Sequence, residues 1–151
     1  MLTEKGNKDF LRIHILANSN SDFDQSVKIK VKDVVTLRLS KILIDAKNKE
    51  DAKRIIQNKK EDIIYWANQE LISNNINYKA QMDIKRQEFP ARVYDGIVFE
   101  KGLYDAVIIT LGQGQGDNWW CVAFPPLCFI SAGGDEIRYK SKIMEIIKNA
   151  K

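Results

Sequence analysis

Apolar residues alternate with polar ones at the start of the chain. In Leu11–Ala17, Leu11, Ile13, Ile15 and Ala17 share one face and Arg12, His14 and Leu16 the other, which predicts a strand. The run Asn18-Ser19-Asn20-Ser21-Asp22 is a polar turn that supplies helix caps. The period then changes. Val27, Val31, Val35 and Leu39 recur every four residues, widened by Val34, Ile42 and Leu43, and predict a helix over Phe23–Ala46. Ala52, Ile55, Ile56, Ile63, Trp66, Ala67 and Leu71 predict a second helix over Glu50–Ser73, with Asn74-Asn75 as its stop.

Period two returns in Tyr78–Glu88, where Tyr78, Ala80, Met82 and Ile84 alternate with Lys79, Gln81, Asp83 and Lys85. Arg92–Phe99, Asp105–Leu111 and Asn118–Phe124 read as three more strands. Ala106-Val107-Ile108-Ile109 is apolar on both faces, as a central strand would be. A last helix is predicted over Asp135–Asn149. The order βααββββα predicts an α+β fold: one domain over residues 11–150, behind a flexible leader at residues 1–10. A largely antiparallel sheet of about four to five strands packs with two long N-terminal helices and one C-terminal helix.

Composition adds little that changes this. With 44% hydrophobic and 29% charged residues, the chain can bury a core without metals or several disulfides. A net charge of +4 without a long Lys/Arg run gives no expectation of a nucleic-acid partner. Lys28, Lys32, Arg38 and Lys41 could form a basic helix face. Such a face is usually solvated, and it would also permit weak association with an anionic membrane surface.

The densest chemistry lies in GQGQGDNWWCVAFPPLCF, Gly112 to Phe129. Gly112, Gly114 and Gly116 lead into a strand and not a helix, and lack the GxGxxG spacing. They therefore read as a hairpin loop rather than a phosphate loop. Cys121 and Cys128 would stand about 23 Å apart if extended, against the roughly 7 Å limit of a disulfide. Pro125-Pro126 between them can turn the chain back. The readings are a disulfide in an oxidising compartment or two buried thiols. Cys121 with His14, the single histidine, is the only pairing that suggests a cysteine hydrolase. Two Cys and one His give no familiar zinc spacing, so neither a metal nor a cofactor is expected. Trp119 and Trp120 must face opposite sides of a strand, one toward the core and one toward solvent, a helix or a partner.

This segment resembles the signature of the stage II sporulation protein R family of endospore-forming bacteria, a glycine run followed by NWWCV and FPPLCF. LRIHILANSNSDFDQSVKIKVKD is similar to that family's second mark, matching at Leu11, Arg12, His14, Ala17, Asn18, Ser19, Asp24, Gln25, Lys28, Val31 and Asp33. Phe89-Pro90, Tyr94, Gly102 and Tyr104 fit the region between. Asn20 and Lys32 depart from the pattern, where Asp and Arg are usual.

The resemblance implies a secreted signal and not an enzyme. The family's proteins are exported from the forespore into the space between the forespore and mother-cell membranes. There they activate a membrane-embedded aspartic protease that processes the sigma-E precursor. The export segment this implies is not seen in the chain. An exported life favours the Cys121–Cys128 bond. Partner contacts are then expected at Trp119, Trp120, Phe124, Pro125, Pro126 and Leu127, and at His14, Asn18 and Ser19.

Overall fold

The computed structural model describes residues 10–94 and 96–125. The predicted C-terminal helix, with Pro126, Leu127 and Cys128, lies outside them. The elements run β1 (Leu11–Leu16), α1 (Asp22–Ile42), α2 (Lys49–Asn58), α3 (Lys60–Ser73), β2 (Ala80–Phe89), β3 (Arg92–Tyr94), β4 (Ile97–Phe99), β5 (Gly102–Leu111) and β6 (Asn118–Phe124). The fold is α+β with a mostly antiparallel four-stranded sheet of order β2-β5-β1-β6. The exception is its centre, where β1 and β5 run parallel, His14 beside Ile108.

Two expectations change. The second helix breaks at Lys59 into α2 and α3. Gln57–Asp62 contains no apolar residue, so burial does not hold one rod together there. Glu61 and Asp62 instead favour a fresh N-terminus. The single strand over Arg92–Phe99 is a hairpin, β3 with β4, forming a separate two-stranded sheet. Its turn passes through Gly96 at φ 80°, a conformation that glycine adopts without strain.

Three helices cover one face of the sheet. Val27, Val31, Val35 and Leu39 of α1, Ile56 of α2 and Ile63, Ala67 and Leu71 of α3 meet Ile13, Ile15, Val107 and Ile109. Ser21 caps α1 by accepting from Asp24 N at 3.0 Å, and Asn48 caps α2 by accepting from Asp51 N at 2.7 Å. The opposite face carries Phe10, Phe89, Phe99, Tyr104, Ile108 and Val122. Among the described residues no helix is long and apolar enough to cross a membrane.

Candidate functional site

β5 and β6 are neighbours in sequence but not in the sheet, because β1 lies between them. The glycine segment is therefore not a hairpin loop. It is a crossing that must pass the end of β1 and lie against the turn that follows. The crossing is bonded backbone to backbone: Gly116 N donates to Ala17 O at 2.9 Å and Gln115 N to Asn18 O at 3.2 Å. Gly112 and Gly114 hold φ of 58° and 65°, which side chains disfavour. At Gly116 a Cβ would collide with the Ser19 carbonyl, part of the backbone. Gly116→Ala is thus expected to cost about 2–3 kcal/mol through overpacking. Gly96→Ala, which meets open space and only backbone strain, should cost about 1 kcal/mol. Urea titration of both variants checks the order.

Side chains from the first motif complete the junction. Asn18 Oδ1 accepts from Gln113 N at 2.9 Å, and Asn18 Nδ2 donates to Asp24 Oδ2 at 2.9 Å. Ser19 Oγ donates to the same oxygen at 2.6 Å, and Tyr78 Oη to Asp24 Oδ1 at 2.7 Å. Asn20 Oδ1 accepts from Asp117 N at 2.7 Å. Lys28 Nζ donates to Asp117 O at 3.2 Å and to Gln25 Oε1 at 2.8 Å. Burial opposes ionisation of Asp24, yet Ser19, Asn18, Tyr78 and Ser21 outweigh it and hold the carboxyl below its ordinary range. Burial, with the Asp24 charge beside it, raises the Tyr78 phenol well above its ordinary value. Asn18 and Ser19, expected as contacts for a partner, are here bound into this bracket.

The opposite sheet face holds a second cluster. Arg12 is fully buried; its guanidinium lies 4.5 Å from the Phe89 ring, 4.6 Å from Tyr104 and 5.2 Å from Phe99, and Nε donates to Cys121 O at 3.0 Å. His14 stacks on Trp120 with ring centroids 3.7 Å apart, and its Nδ1 lies 2.7 Å from Gln87 Oε1, reaching across β5. Burial lowers the His14 pKa, opposed by Gln87 and Asn118, so the ring is neutral at pH 7.

The remaining expected contacts fall as follows. Trp119 packs toward the helices beneath the Lys32 ammonium, 5.7 Å from the ring, while Trp120 faces His14. Both indoles are half-buried. Phe124 and Pro125 are buried, which corrects their reading as surface anchors; Phe124 belongs to the helix-side core. The basic helix face is corrected too: Lys28 is buried and bonded, and Arg38 lies over Trp66.

Cys121 pairs with Ile13, and His14 with Trp120. Opposed residues share a face and successive residues alternate, so Cys121 and His14 project to opposite sides of the sheet. They cannot form the pair a cysteine hydrolase needs. Cys121 is disulfide-bonded; the chain's other cysteine, Cys128, lies outside the described residues. Among the described residues no group of His, Cys, Asp and Glu is arranged to hold a metal.

The sequence gives Gln87 no role and places Tyr78 only on a strand face; Arg12 stands in the first motif, and its signal is a lone cation in a strand otherwise apolar but for His14.

This is an α+β domain in which two motifs nearly a hundred residues apart fold into one bracket around the end of a central strand. The profile of stage II sporulation protein R matches residues 7–133, and the chain belongs to that family. It is 38% identical over 126 residues to Stage II sporulation protein R of Bacillus subtilis (strain 168), covering 83% of this chain and 56% of that protein. The chain thus spans little more than half the length of that relative. No solved structure matches it.

Proposed function

We propose that this domain is a secreted sporulation signal. It acts in the space between forespore and mother-cell membranes, binds a membrane-embedded aspartic protease, and so switches on processing of the sigma-E precursor. The observation that carries the reading is membership of the stage II sporulation protein R family across residues 7–133. Two features accord with it. A disulfide at Cys121 suits an exported protein. The separation of Cys121 from His14 removes the one nucleophilic pair the sequence offered. As an activator the domain works by binding the active arrangement of the protease more tightly than the inactive one.

The test mixes the domain with membranes carrying the protease and its precursor substrate. Cleavage is expected only when the domain is added. It is expected to survive in a folded Cys121→Ala variant, since no thiol chemistry is involved. Cleavage that proceeds equally without the domain, or that vanishes in the folded variant, overturns the reading.

A further inference from the structure

β2 is an edge strand, and its hydrogen-bonding parity can be read from three contacts. Gly112 N donates to Lys79 O at 3.0 Å, so odd-numbered residues of this stretch face β5. Ala80 N donates outward to Asn68 Oδ1 at 2.8 Å, and Ile84 N to the exposed Asp83 Oδ1 at 3.0 Å. The even-numbered amides therefore point away from the sheet. Those of Met82, Arg86 and Glu88 meet no partner among the described residues.

The free edge is bordered by two grooves. On the helix side a groove of about 510 Å³ is lined by Lys53, Arg54, Lys85 and Arg86 against Glu50 and Asp105. Asp105 is already met by Lys49 at 2.6 Å, Lys53 at 3.4 Å and Arg86 at 3.7 Å. Its charge is spent inside the wall, and Arg54 is held by Asp51, leaving Lys85, which has no ion pair among the described residues, and the exposed Arg86 at the rim of the Asp105 cluster to face a ligand. On the other side a groove of about 440 Å³ sets Lys60 and Lys85 against one carboxylate, Asp83, whose Oδ1 already accepts from Ile84 N. Glu88, the acid nearest the end of the strand, is paired with Lys101 at 3.4 Å.

We infer that the β2 edge is a strand-addition dock for an extended, acidic segment of a partner protein. Backbone pairing at Met82–Glu88 supplies the register, and carboxylates on alternate residues of the incoming strand reach the two cationic grooves. Cations on an edge strand ordinarily prevent self-pairing, because two copies bring like charges together. A strand of opposite charge turns that barrier into selection. The inference rests on reading this chain as a protein-binding signal, and it names the partner's chemistry.

The probe is a synthetic peptide alternating Glu with Val, titrated against the chain with amide exchange followed by NMR. Slowed exchange at Met82, Arg86 and Glu88 is expected, with no binding of the counterpart peptide that has Lys for Glu. Combined K85E and R86E should weaken binding by about tenfold or more, and K85Q with R86Q by less. Equal binding of the two peptides, protection elsewhere, or indifference to charge reversal overturns the inference. So does concentration-dependent protection without peptide, which assigns the edge to a second copy. The titration contains no protease, so its failure is separable from failure of the reconstitution above.

Discussion

Asp24→Asn is expected to destabilise this domain by about 3 kcal/mol, because a neutral amide offers one acceptor atom where the carboxylate offers two charged ones to three donors in a buried network. Ser19 Oγ, Asn18 Nδ2 and Tyr78 Oη all donate to the Asp24 carboxylate. Losing it frees the turn that holds the glycine crossing, so the damage reaches both motifs. Tyr78→Phe removes one of these bonds and should cost about 1.5 kcal/mol. The pH dependence gives an independent check. The folded pKa of Asp24 lies below its ordinary 3.8, so the stability it contributes is present above that value and lost as pH falls through the folded pKa. The gap between the parent and Asp24→Asn should therefore narrow as acid is added. Asp105, also held low, acts in both proteins and cancels in the difference. Urea midpoints at neutral and acid pH measure it; a gap that stays constant across that range refutes the role.

Arg12→Ala should be costlier, about 4 kcal/mol, since it opens a cavity and leaves the Cys121 carbonyl without its donor. A loss of that size lowers the melting temperature by about 8–16 °C in a chain of this length. The guanidinium is packed against three rings in a site closed to solvent, where cation–π contact is worth about 2 kcal/mol or more. Arg12→Lys keeps the charge but loses the flat surface that packs on the rings, and should fall between the parent and Ala. Thermal melts by circular dichroism decide it. A shift of only a few degrees for Ala would show that the rings close over the gap without help from the cation.

The local pattern carried most of the secondary structure. Period two marked β1 and β2, Val27-Val31-Val35-Leu39 marked the buried stripe of α1, and the apolar Ala106–Ile109 run marked β5 as central. These features depend on which face of each element is buried, and spacing along the chain records that directly. The break at Lys59 and the β3–β4 hairpin were also written there, as the polar run Gln57–Asp62 and the Asp95-Gly96 pair.

The order of strands was not. Nothing local tells β5 that β1 will stand between it and β6, so the glycines looked like a hairpin when they were a crossing. The roles of Asn18, Asp24 and Gly116 follow from that insertion, as does the placing of Cys121 and His14 on opposite faces. By itself the sequence determined most of the described elements, their buried faces and, through two long motifs, the family. The tertiary structure alone decided what the motif residues do, because hydrogen bonds between residues nearly a hundred positions apart exist only once the chain has chosen its neighbours.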